Sequence, residues 1–200
     1  MNMSAQPISV SDKRVTAMRA ALNAGWRRRD VIWERWQEAA NRALAEGRGR
    51  AARWGFIRAG WLARLGFAQS DPRRAASEAN LALAARLAGR EPRARRLYAR
   101  ARTLWAGVPE QIAGLEVKPR SRSSLFHLRM EARHRETFRA NLDTRLGRFV
   151  AETDEALAAL AESQPVPHRL YPRWKGEKPA IHDDTRKLLA ACLLIGVPSD

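Results

Sequence analysis

The chain holds a single cysteine, Cys192, so it forms no intramolecular disulfide, and zinc sites built on cysteine pairs are excluded. Cys192 lies in an apolar helix-forming stretch and is expected to be an inert, packed thiol. Lysine is scarce: of 37 basic residues five are Lys and the other 32 are Arg. Glycine (12) and proline (10) are too few for a disordered tail or a fibrous repeat. The N-terminal Met1 to Val10 is polar and lacks the apolar core of a signal peptide. The most apolar stretch, Leu188 to Val197, is about half the ~20 residues that a bilayer span requires. There is no Walker loop, dinucleotide-binding glycine turn or serine elbow. These absences lead to the expectation of a soluble, cytoplasmic, non-enzymatic protein with no cofactor, no metal and no small-molecule substrate.

What is present is a 200-residue chain of 22.5 kDa, long enough for one sizeable core, with 45% hydrophobic residues and a formal charge of +16. Periodicity predicts helices nearly throughout and no strand. Ser11 caps a first helix reaching Gly25, and Asp30 caps a second whose end is marked by Gly47. A third runs from Gly49 to Gly66 with a stripe of Trp54, Ile57, Trp61 and Leu65. Asp71-Pro72 reads as an N-cap followed by proline at the first helical position, and the helix it opens stops at Gly89. Glu91-Pro92 opens another, with Ala94, Leu97, Tyr98, Ala101, Leu104 and Trp105 on one face. The segment Ala106 to Arg122 breaks the rhythm. Ser123 to Ser163 reads as one long helix, or two joined near Gly147. Prolines 165, 167, 172 and 179 mark an extended linker before a short final helix, Asp183 to Ile195.

Shifting the chain by 42 residues superimposes two helix pairs: nine identities fall in the 25 positions from Ala39 to Ala63, where composition alone gives roughly two to four. Ala40, Ala43, Gly47, Arg48, Ala52, Arg53, Arg58, Ala59 and Leu62 meet Ala82, Ala85, Gly89, Arg90, Ala94, Arg95, Arg100, Ala101 and Leu104, and Phe56 meets Tyr98. These are the residues a helical hairpin needs: glycines end each first helix, small residues allow close approach, and an aromatic fills the groove. In these positions, from Asp30 to Trp105, the sequence resembles the tetratricopeptide-repeat (TPR) family. It departs from that family in its longer period, in lacking proline near Trp61 and Leu104, and in the bulk of Trp54 and Trp61.

The resemblance implies an all-α fold of stacked antiparallel helical hairpins with a concave groove that binds peptides or protein surfaces. On that expectation residues 1–29 form an N-terminal helix and basic turn, 30–164 the repeat domain with a long C-terminal helix, and 165–200 the Pro-rich linker and a terminal helix. The terminal helix is expected to cap the stack, or else to dock on a partner or a membrane. First helices of such pairs line the groove, which places Asn41, Asn80 and Arg86, with Arg129 and Arg133 from the following helix, on its inner side. In some family members asparagines and basic residues there clamp a peptide carboxylate. Gln37 stands where a lysine is expected. The alternative for Asn80 is local hydrogen bonding that orders the repeat.

Charge is unevenly spread. Gly47 to Trp105 carries 14 Arg against Asp71, Glu78 and Glu91, a net of +11, whereas Val150 to Pro165 is acidic. Arg93, Arg96 and Arg100 share an outer stripe opposite Ala94, Tyr98 and Ala101, where guanidinium forks suit carboxylates or phosphates. A solvated face set by composition is the competing account. Trp33, Trp36, Trp54, Trp61 and Trp105 recur at helical spacing and are expected in the core rather than stacked on bases, whereas Trp26 is expected to be exposed beside Arg27-Arg28-Arg29. His127 and His134, seven apart, lack the spacing of a metal pair. The expected function is an adaptor or scaffold binding an acidic protein or peptide through these arginines. The alternatives are a nucleic-acid-associated protein using them on phosphates and a factor held at an anionic membrane surface.

Overall fold

Asp71 and Pro72 start a helix by their own chemistry. The Asp71 carboxylate accepts a hydrogen bond from the Arg73 backbone N–H at 3.0 Å, and Pro72 brings a fixed φ to the first turn. In the computed structural model this helix is one of a succession. The structure describes residues 18–19, 21–23, 25–113, 144, 146–164, 166 and 184–197. Over these, α1 spans Arg28–Ala45, α2 Gly49–Gly66, α3 Pro72–Arg86, α4 Glu91–Trp105, α5 Val108–Ala113, α6 residues 146–161 and α7 Asp184–Leu193. No strand occurs among the described residues, and no helix there is long and apolar enough to cross a membrane. The chain is all-α in its described parts.

Local chemistry explains most boundaries. Gly47 and Gly89, the repeat-related pair, stand at φ +71° and +70° just beyond α1 and α3, a left-handed conformation that side chains with a Cβ resist. Asp30 does not precede its helix as expected. It lies in the first turn of α1, and its carboxylate reaches back to accept the Arg27 N–H at 2.8 Å, capping the helix from inside. The stretch after Trp105 carries a short helix, α5, because Pro109 sits at its second residue, where no backbone donor is needed. Gly147 is helical, close to the start of the described part of α6. Most of the expected first helix, residues 123–143 and the expected proline-rich linker lie outside the described residues.

Packing follows from short connections. Ala40 and Gly55 approach near the turn joining α1 and α2, and Arg29 lies beside Gly66 at the far end, so the two helices run antiparallel. Arg74 donates to the carbonyls of Arg64 and Phe67, while Leu81 packs on Gly60, giving the same relation between α2 and α3. The core is built of small residues around aromatics: Trp33, Phe56, Tyr98 and Trp105 are fully buried among Ala52, Ala59, Ala82, Ala94 and Ala101. Helix α7 closes over α3 with Leu188, Ala191 and Cys192 buried, and Ile195 just beyond it is buried as well. Burial pushes the Cys192 thiol up to about 12, so it is protonated and unreactive at neutral pH.

Candidate functional site

Helices α1 and α3 lie side by side in the same direction, and a polar ladder joins them. Trp33 Nε1 donates to Ser77 Oγ at 2.8 Å, and Asn80 Nδ2 donates to Gln37 Oε1 at 2.7 Å. Arg73 Nη1 meets Asp30 Oδ1 at 2.8 Å lower on the same two helices. Each link pairs residues separated by 43 or 44 positions, close to the 42-residue sequence offset.

The inner positions Asn41 and Asn80 are brought together, and what they hold is this chain's own C-terminal segment. Leu194 O accepts from Asn41 Nδ2 at 3.0 Å and from Asn80 Nδ2 at 2.7 Å, and Gly196 N donates to Asn80 Oδ1 at 2.7 Å. The buried Asn80 side chain thus grips a peptide backbone on both its donor and acceptor sides while still serving Gln37. Gly196 fits because it lacks a Cβ, which would stand 2.8 Å from Leu83 and 2.9 Å from Phe56. A segment more than a hundred residues away in sequence fills this slot, and no local signal announces it.

Arg86 is an internal fastener. It donates to Glu91 Oε1 and Oε2 at 3.0 and 3.1 Å, to Leu160 O at 2.9 Å and to Ser163 Oγ at 3.0 Å, and it lies 4.9 Å over the Tyr98 ring. The Arg86 hydrogen bonds hold the Glu91 carboxyl below the usual range. Arg129 and Arg133 lie outside the described residues, as do His127, His134 and His182. Among the described residues no group of three metal-ligating side chains occurs.

Arg93, Arg96 and Arg100 stand exposed on α4, opposite the buried Ala94, Tyr98 and Ala101. Arg100 Nε comes within 3.8 Å of Glu78 Oε1, and the same buried carboxylate binds Arg64 of α2 in a two-point fork at 2.9 and 2.8 Å. Glu78 therefore ties the outer helices α2 and α4 to α3 from both sides. Its hydrogen bonds hold the Arg64 guanidinium above its usual pKa.

Three tryptophans differ from expectation. Trp26 is 5% exposed, so it offers no surface beside Arg27-Arg28-Arg29. Trp54 and Trp61 are 57% and 62% exposed and, with Leu65 at 83%, form an outward apolar stripe on α2 with Arg58 between them. The reason is that α2 is apolar on two faces, and the small one, Ala52, Phe56, Ala59 and Ala63, is the one that lets neighbouring backbones approach. The repeat itself carries a signal for this. Shifted by 42, Trp54 falls on Arg96 and Trp61 on Thr103, both exposed.

No family model, no curated protein and no solved structure matches this chain.

Proposed function

We propose that this chain is a non-enzymatic adaptor of tetratricopeptide-like architecture, in which stacked antiparallel hairpins present an arginine-rich outer face to an acidic protein or peptide. The architecture is supported by the antiparallel α1/α2 and α3/α4 pairs and by the parallel ladder between α1 and α3 at nearly the sequence-repeat spacing. The packing of α7 over α3 supports its role as the cap that a repeat stack needs against water.

One observation carries the choice of surface. The inner candidates Asn41, Asn80 and Arg86 are engaged by the chain itself, whereas Arg93 and Arg96 present their guanidinium groups to solvent and Arg100, though it lies beside Glu78, stays more than half exposed. Guanidinium forks bind carboxylates in two-point fashion, and an exposed cluster also speeds encounter with an acidic partner. The test is affinity capture from the native cell extract with the wild-type chain and with the Arg93→Glu/Arg96→Glu/Arg100→Glu variant. A single acidic protein captured by the first and lost from the second is the expected outcome. Stoichiometric nucleic acid released only at high salt would instead favour phosphate binding, and unchanged capture by the variant would remove the outer arginines from the interface.

A further inference from the structure

A cleft of about 520 Å³ opens between α1 and α2, lined by Trp36 and Trp54, by small residues including Gly55, and by Arg42, Arg48 and Arg58. Apart from the three arginines, every lining side chain is apolar or absent. Arg48 is paired with Glu46, but neither Arg42 nor Arg58 is paired with an acidic side chain among the described residues. Trp54 stands more than half exposed at the mouth, and the apolar stripe continues along α2 to Trp61 and Leu65. Exposed apolar surface of this kind, rimmed by charge, marks a place where something docks.

We propose that this cleft anchors an acidic segment of a partner protein by one aliphatic or aromatic side chain seated between Trp36 and Trp54, with flanking carboxylates on Arg42 and Arg58. The inference rests on the acidic-partner reading above and locates its specificity. The chemistry of the lining selects this occupant. A second copy of the chain brings a net charge of +16 against a basic rim, which opposes self-docking. A nucleobase finds rings to stack on and guanidinium groups for a guanine edge or phosphate, but no amide or carboxylate in the lining meets an adenine or cytosine edge, and the oligonucleotide competition below tests that occupant. An apolar side chain needs no such partner, and the carboxylates beside it supply the sign of charge that the arginines lack. The repeat sharpens the point. The outward positions that carry Arg93, Arg96 and Arg100 in the second hairpin carry Ala51, Trp54 and Arg58 in the first, so this helix keeps the third arginine and departs from its counterpart at the first two, where the cleft lies.

The test uses the full chain and short fluorescent peptides rich in Glu, identical except for a central Phe or Ser, with binding followed by anisotropy. The Phe peptide is expected to bind about tenfold more tightly than the Ser peptide, the gain from burying one large apolar side chain in a partly open site. Trp54→Ala should abolish that preference while the far-ultraviolet circular dichroism stays unchanged, since the ring is largely exposed. Arg42→Glu/Arg58→Glu should weaken both peptides, and Arg93→Glu/Arg96→Glu/Arg100→Glu should leave the Phe-to-Ser ratio intact. If both peptides bind equally, or Trp54→Ala preserves the ratio, the cleft is not the anchor although an acidic partner still stands. If neither peptide binds better than an uncharged one, the acidic-partner reading falls with it. A single-stranded oligonucleotide that displaces the Phe peptide and needs Trp54 overturns the peptide assignment. So does sedimentation showing self-association that Trp54→Ala removes.

Discussion

Arg73 is the buried charge on which α1, α3 and the α2–α3 turn converge, and replacing it should unfasten all three. Its guanidinium donates from Nη1 to Asp30 at 2.8 Å and, as a fork, from Nε and Nη2 to Asp71 at 2.9 and 2.6 Å. It also lies 3.8 Å from the Phe67 ring centroid and 5.8 Å from that of Trp33. Burial alone would lower its pKa, and the two carboxylates outweigh that effect, holding it above the usual value. Arg73→Met keeps much of the stem's volume but strands Asp30, whose carboxylate is buried and then retains only the Arg27 N–H. Asp71 is more open to water and suffers less. Breaking one side of a buried pair costs about 3–5 kcal/mol, which in a chain of this size lowers Tm on the order of 10 °C. The double variant Arg73→Met/Asp30→Asn removes the stranded charge and should recover about 2 kcal/mol or more of that loss. Urea unfolding followed by circular dichroism measures both. A loss under about 1 kcal/mol for Arg73→Met, or a double variant no more stable than the single one, would refute the view that Arg73 is held by its carboxylates rather than by packing alone.

Two further perturbations test the C-terminal segment and the Arg86 fastener. Gly196→Ala places a Cβ 2.8 Å from Leu83 and 2.9 Å from Asn41 and Phe56, and should destabilise the chain by about 1–3 kcal/mol in urea unfolding. An unchanged urea midpoint would mean that the slot at Asn80 has room for a Cβ. Glu91 has its pKa lowered from 4.5, mainly by hydrogen bonds from Arg86, so its ionised form favours the folded state. That contribution is fully present above pH 4.5 and is lost as pH falls through the lower folded value. The Tm gap between wild type and Glu91→Gln should therefore be positive at neutral pH and shrink below pH 4, and a gap that does not change with pH would break the assignment.

The limits of helices were legible because the chemistry that sets them is local: Asp71 before Pro72, and glycines three residues after Arg86 and two after Ala45. The repeat was legible for a related reason. Its identities Ala40/Ala82, Ala52/Ala94 and Ala59/Ala101 are all buried, where close approach restricts the choice of side chain. What periodicity supplies is which residues share a face, not which face turns inward. On α2 it groups Trp54, Trp61 and Leu65 correctly, yet hydrophobicity points that group into the core, and packing decides otherwise because Ala and Gly bring helices closer than Trp does. The slot at Asn80 was hidden more deeply, since its occupants lie 114 and 116 residues away. Nothing near Asn80 in sequence distinguishes an amide that awaits a partner's backbone from one that already holds its own. The outward tryptophans follow from a comparison between the hairpins rather than from either alone. Arg96 is exposed in the second pair and so is Trp54 at the matching position of the first, as Trp61 is opposite the exposed Thr103, so the polar member of each couple marks the face that the tryptophan shares.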